Sequence, residues 1–172
     1  MPHKKCVSSL ENKTLTINCT NISRVAYTKF LGVTIDDKLN WGDHINIIGN
    51  KICRNIGILK YGKRYLPNYC IKNLYCTLIL PYLTYCNMIW ITACKYRIDR
   101  LKKLQKRAIS LFSKQPDAFK QENILKLEDI GTIQLLQFVK NIKMGVAPPQ
   151  FTSLFTNVLE IHHHNTRRTH HY

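Results

Sequence analysis

The spacing of apolar positions along this chain changes once, near Asn40. Ahead of that point Leu15 and Ile17 alternate with Thr14, Thr16 and Asn18, the period-two pattern of a half-buried strand. Turn-forming residues follow at Asn18-Cys19-Thr20-Asn21, then a second run from Ile22 to Val25 and a third strand from Tyr27 to Ile35. The 14–35 segment therefore predicts a small antiparallel hairpin or meander. Gly32 falls inside the third strand, where a glycine marks a bulge or a close backbone approach.

Beyond Asn40 the apolar positions recur at three and four. Ile45, Ile48, Ile52, Ile56 and Leu59 predict an amphipathic helix over 43–63, with Asn40 as its N-cap, Asp43 in its first turn and Gly62 as its terminator. Pro67 opens a second helix over 68–79, carrying Ile71, Leu74, Leu78 and Ile79. Pro81 breaks it ahead of a helical stretch from Tyr82 to Ile91. A further helix over 96–113 has Ile98, Leu101, Leu104, Ala108, Leu111 and Phe112 on one side. Another over 127–144 carries Leu127, Ile130, Ile133, Leu136, Phe138 and Ile142, and Gly145 and Pro148-Pro149 stop it. A short helix over 150–158 comes next. The expected fold class is α+β and mostly α: a small N-terminal antiparallel hairpin or meander, then a bundle of four to five helices. The expected divisions are 1–39, a helical domain over 40–158, and a flexible basic, His-rich tail over 159–172.

Charge adds a partner to this picture. The chain has 26 Lys and Arg against 10 Asp and Glu, a net charge of +16, which favours a polyanion. Its 45% hydrophobic content is enough to bury a core, so wholesale disorder is excluded. No acidic residue occurs from His44 to Ile98, while that window holds Lys51, Arg54, Lys60, Lys63 and Arg64. Arg100, Lys103, Lys106 and Arg107 follow on the polar side of the 96–113 helix. Cations spaced along helices, with Tyr61, Tyr65 and Tyr69 nearby, suit contact with a sugar–phosphate backbone. The plain alternative is a solvated helix face.

Residues 73–94 are uncharged for 22 positions, long enough to cross a bilayer and so compatible with a small membrane protein. Asn73, Asn87, three threonines and Pro81 inside the window favour two short core helices and no membrane partner. The seven cysteines include no Cys-x-x-Cys pair, and Met-Pro-His-Lys-Lys leads into no apolar run. The expectation is reduced thiols in an intracellular protein, nuclear or cytoplasmic, most of them on apolar helix faces.

Candidate chemistry is sparse. Asp36-Asp37 are adjacent, so on a strand their side chains would point to opposite faces, and a structural role at the start of the helix is expected of them. His162-His163-His164 and His170-His171 lack the spacing of a metal site. The expectation is no catalytic residue, no metal site and no cofactor in this chain.

The ordered motifs resemble a known family. Lys29-Phe30-Leu31-Gly32-Val33-Thr34-Ile35-Asp36, then Leu39-Asn40-Trp41 and His44-Ile45, is similar to a signature of reverse transcriptases of non-LTR retrotransposons, the jockey-like long interspersed elements. The resemblance continues through Ile56-Gly57-Ile58-Leu59, Tyr65-Leu66-Pro67, Leu74-Tyr75 and Leu78-Ile79-Leu80-Pro81-Tyr82-Leu83-Thr84-Tyr85-Cys86. Trp90, Leu101-Lys102-Lys103-Leu104-Gln105-Lys106-Arg107-Ala108-Ile109, Leu125-Lys126-Leu127-Glu128-Asp129 and Asn165-Thr166-Arg167 complete it.

The resemblance implies that 1–39 is a remnant of the palm sheet and that the helices are a thumb. Phe30, Leu31 and Gly32 would be the primer grip, a hairpin holding the primer 3′ end, with a template–primer of RNA and DNA as partner. The family's catalytic Tyr-Ala-Asp-Asp has no counterpart here. It is expected upstream of Met1, with the palm and fingers of the same polyprotein and the divalent metal, magnesium, that the full enzyme uses. The chain alone is expected to be inactive as an RNA-directed DNA polymerase. A free-standing basic nucleic-acid-binding module co-opted by a host remains the alternative, and a thumb lacking its palm is expected to expose apolar surface.

Overall fold

The structure, a computed structural model, describes residues 15–152 and Phe155. The tail over 159–172, with both histidine runs, lies outside the described residues, as do Cys6 and most of the expected 150–158 helix. The chain divides into two compact units, Met1–His44 and Ile45–Tyr172.

The first unit holds two separate antiparallel hairpins. β1 (Leu15–Ile17) pairs with β2 (Thr20–Ile22), and β3 (Tyr27–Phe30) pairs with β4 (Val33–Asp36). Pairing of Ile17 with Thr20 and of Phe30 with Val33 leaves two-residue loops at Asn18-Cys19 and Leu31-Gly32. All four loop residues have positive φ: 49° and 62° in the first loop, 46° and 84° in the second. Positive φ at both central residues is the type I′ signature, whose twist matches that of the flanking strands. The segment expected as one strand over 27–35 is therefore a hairpin. Gly32 supplies its second turn residue, which is a different role from a bulge.

Asp36 organises the exit from β4. Its two carboxylate oxygens accept from the backbone amides of Asn40 and Trp41, each at 2.9 Å. They thereby hold a turn in which Leu39 and Trp41 also adopt positive φ, 52° and 60°. The Thr34 amide donates to Nδ1 of buried His44 at 3.2 Å, which places that ring's proton on Nε2.

In the second unit four helices of eleven residues or more carry the fold: α1 (Gly42–Gly62), α2 (Asn68–Leu78), α5 (Lys95–Ile109) and α7 (Leu127–Lys143). Four short segments lie between or after them: α3 (Leu80–Thr84), α4 (Asn87–Trp90), α6 (Ala118–Gln121) and α8 (Pro149–Thr152). An α+β fold that is mostly helical is the result. The three-and-four pattern of α1 buries Ile45, Ile48, Ile52, Ile56 and Leu59. Ile71 and Tyr75 from α2, Leu83 from α3, Trp90 from α4 and Leu101 from α5 are fully buried too. Each such side chain contributes about 1.5–3 kcal/mol of transfer free energy.

The expected helix over 82–91 is instead α3 and α4. Pro81 sits in the first turn of α3, Tyr85 is extended and Cys86 is left-handed at φ 51°. Side chains take up the backbone groups that this break releases. Gln134 on α7 donates to the Thr84 carbonyl at 2.7 Å and accepts from the Met88 amide at 3.2 Å. The Trp90 indole donates to the Tyr85 carbonyl at 3.0 Å.

A second buried glutamine joins three elements. Gln105 on α5 donates to the Leu125 carbonyl at 2.9 Å and to the Tyr75 hydroxyl at 3.2 Å, and accepts from the Leu127 amide at 3.0 Å. Burial pushes the Tyr75 phenol up to about 12, and the Gln105 bond offsets part of that rise. At the far end of α7 the amides of Gly145 and Val146 donate to the Ile142 and Asn141 carbonyls at 3.1 and 3.0 Å. With Gly145 at φ 68° this is a Schellman stop.

Two expectations about faces change. Ile133 and Leu136, placed on the apolar side of α7, are exposed together with Leu135, because α7 buries only Leu127, Ile130, Gly131 and Ile142. The six described cysteines are free thiols, and none is buried: Cys19, Cys53 and Cys94 are exposed, and Cys70, Cys76 and Cys86 are half-buried.

Candidate nucleic-acid interface

Because α1 turns Ile45, Ile48, Ile52 and Ile56 inward, its cations point away from the core. Arg54 and Lys60 are exposed. Lys51 is half-buried, with its ammonium 5.3 Å from the centre of the Tyr82 ring, a cation–π contact. Lys63 and Arg64 lie in the turn that follows, where the backbone continues to fold back on α1 through Lys63 N–H to the Leu59 carbonyl at 2.9 Å. On α5 the buried set Ile98, Leu101, Leu104, Gln105 and Ala108 leaves Arg100, Lys103, Lys106 and Arg107 exposed.

Arg100 brings the two helices' charged sides together. Its guanidinium donates to the Asn46 and Asn50 side-chain oxygens at 2.8 and 3.2 Å, straddling one turn of α1. It lies over Gly49, where a Cβ would come within 3.5 Å of the guanidinium carbon. Arg54 is one turn beyond Asn50, and Lys103 and Arg107 are one and two turns beyond Arg100. Arg100 is thus a clamp between helices as well as a surface charge, a role that its spacing alone does not reveal.

Four of the carboxylates are engaged elsewhere. Asp37 pairs with Arg24 at 3.2 Å and Glu122 with Lys72 at 3.0 Å, while Lys102 takes Asp99 at 3.0 Å and also Glu128. The Glu128 and Asp99 hydrogen bonds hold the Lys102 ammonium above its ordinary pKa. Among the described residues none of the nine candidate cations sits in a carboxylate pair. Lys60, Lys106 and Arg107 fall in the last turns of their helices, where a cation also stabilises the helix dipole by about 0.3–1 kcal/mol.

Phe30, Leu31 and Gly32 form the tip of the β3–β4 hairpin. Leu31 is 73% exposed and holds a left-handed φ, a conformation that favours glycine or asparagine. Strained, solvent-facing apolar residues of this kind occur where a contact rather than the fold selects the side chain. Asp36 and Asp37 hold the helix start and Arg24, respectively. Both carboxylates thus have structural partners, Asp36 in the turn ahead of α1 and Asp37 in its pair with Arg24.

A cavity of about 330 Å³ is lined by Cys76, Leu80, Ile130 and Ile133, with Lys72 and Glu122 also on its wall. Among the described residues no three His, Cys, Asp or Glu side chains gather as a metal-ligand set. No helix among them is long and apolar enough to cross a membrane, and the 73–94 window is divided among α2, α3 and α4. No family model, curated protein or solved structure matches the chain.

Proposed function

We propose that this chain is the palm-end and thumb region of a reverse transcriptase of non-LTR retrotransposons, gripping the sugar–phosphate backbone of a template–primer. The ordered motif set from Lys29 to Arg167 motivates the family. The observation that carries the binding role is the division of charge. Asp37, Glu122, Asp99 and Glu128 pair with Arg24, Lys72 and Lys102, and among the described residues the candidate cations on α1, the following turn and α5 meet no carboxylate, which leaves their charge for a polyanion. The hairpin tip at Phe30-Leu31-Gly32 supports a primer-grip role. Exposed Ile133, Leu135 and Leu136 on α7 support a covering protein partner, which in this reading is the rest of the polymerase. The reading routes no chemical step through Asp36 and Asp37.

The test is binding of the full chain to a blunt RNA–DNA heteroduplex across a salt series, read by fluorescence anisotropy. Six to eight phosphate contacts give a slope of log K against log salt of about −5 to −7. Exchanging Arg54, Lys103 and Arg107 together for glutamine should flatten the slope by about 3. Affinity that does not change with salt would overturn the proposal. Incorporation of dNTPs on a primed RNA template by this chain alone would overturn the assignment of its residues to a non-catalytic role.

A further inference from the structure

We infer that the elbow between α1 and α2 is a stacking platform for the unpaired bases of a nucleic-acid strand. This rests on the nucleic-acid reading above and adds the class of strand that the elbow takes. The elbow carries Lys60, Tyr61, Lys63, Arg64, Tyr65 and Tyr69 within ten residues. Its three tyrosines are 64%, 71% and 68% exposed, although tyrosine rings ordinarily cover much of their apolar surface.

The rings of Tyr61 and Tyr65 lie 5.5 Å apart and 57° from parallel, so their outer faces diverge and remain open. That pair, spaced at four across the end of α1, has a modest structural use in stiffening the elbow. Tyr69, in the first turn of α2, has no ring contact among the described residues, so stiffening does not account for it. Among the described residues Lys60, Lys63 and Arg64 meet no carboxylate.

Charge selects the occupant. The nearest acidic residues in sequence are Asp43 and Asp99, so an anionic strand meets no repulsion from the elbow's own segment. Open aromatic faces beside cations are what an unpaired strand needs: every base has a π-face to stack, and every linkage has a phosphate to neutralise. A blunt duplex hides its base faces and uses the cations alone. Stacking of this kind changes affinity by about 5- to 150-fold per base.

The experiment compares three probes on the full chain: the blunt heteroduplex, the same duplex with a single-stranded 5′ extension, and that extension built from abasic sugars. The expected result is preference for the extended probe by at least about 5-fold, lost with abasic sugars. Tyr61→Ala/Tyr65→Ala/Tyr69→Ala should abolish the preference, and because tyrosine carries no positive charge the salt slope on the blunt duplex should stay the same. The corresponding triple exchange to phenylalanine should keep the preference and so separates stacking from misfolding. Equal affinity for blunt and extended probes, with a normal salt slope, would overturn this inference and leave the backbone-binding proposal standing. So would a preference that survives abasic substitution, or polyglutamate binding that depends on the same tyrosines. Absence of salt-dependent binding to every probe would overturn both.

Discussion

Replacing Gly131 with alanine sets two effects in the helical unit against each other. In a bare helix the exchange favours folding by about 1 kcal/mol, because alanine loses less backbone freedom than glycine. At this position the added Cβ would lie 2.7 Å from Asn87 Oδ1 and 3.2 and 3.3 Å from two carbons of Ile91. The first distance is inside the 3.0 Å limit that Cβ contacts essentially never cross. Asn87 has little room to yield. It is fully buried and donates to the Leu83 carbonyl at 2.7 Å and, at 3.5 Å, to the Leu127 carbonyl.

Overpacking costs about 1–3 kcal/mol. Driving the Asn87 amide off its carbonyls costs about 1–3 kcal/mol more. Set against the propensity gain, the expected result is a net loss of about 1–5 kcal/mol. Urea unfolding followed by Trp90 fluorescence in a Trp41→Phe background reports it, since Trp90 lies in α4 itself. With a slope of about 2 kcal/mol per molar the midpoint should fall by roughly 0.5–2.5 M. Adding Asn87→Ala should recover at least about 0.5 kcal/mol beyond additivity. An unchanged or raised midpoint for Gly131→Ala, or strict additivity in the pair, would refute the steric account of this contact.

Three further outcomes follow from buried polar groups and the hairpin tip. Gln105→Leu strands the Leu127 amide, the Leu125 carbonyl and the Tyr75 hydroxyl, and should destabilise the unit by at least about 2 kcal/mol in the same urea assay. Tyr75 keeps its proton up to about 12 in the folded chain, whereas an unfolded tyrosine releases it near 10. The folded state therefore binds the extra proton, and its stability is full below about pH 10 and falls as pH rises through about 12. Melting curves should show Tyr75→Phe losing less of its melting temperature than the parent chain over that window. Leu31→Asn gives the hairpin a favoured type I′ pair and should stabilise it by about 1 kcal/mol, read as slower amide exchange in β3 and β4. In the proposed grip role the same change weakens binding of a primed template, and tighter binding would count against that role.

The long helices were legible because each carries its own pattern. Ile45 to Leu59 mark the buried stripe of α1, and Gly145 marks the stop of α7. Two local features were hidden by unconventional residues. Leu31 occupies a left-handed turn position where asparagine or glycine is the usual signal, so the β3–β4 hairpin read as one strand. Cys86 does the same at the break between α3 and α4. The buried amides could not be read at all, because Gln105, Gln134 and Asn87 look like surface residues until distant backbone groups meet them. The cations of α1 and the turn after it were legible from their lack of acidic neighbours, and those of α5 from their place on the polar side of that helix, where Asp99 is the one acidic residue. The clamp made by Arg100 was not, since Asn46 and Asn50 lie 54 and 50 positions away in sequence.

The two glutamine ties bear on how the chain is made. Gln105 waits for the Leu127 amide, and Thr84 waits for Gln134, 50 residues later. A ribosome adds roughly 5–20 residues per second, so the 25 residues from Ser110 to Gln134 take roughly 1–5 s to appear. Before α7 is made, Gln105, the Thr84 carbonyl and the Met88 amide lack the partners that they have in the finished fold. Emergence of α7 supplies those partners. A pause in translation ahead of it would lengthen the time in which chaperones or proteases reach the unfinished bundle.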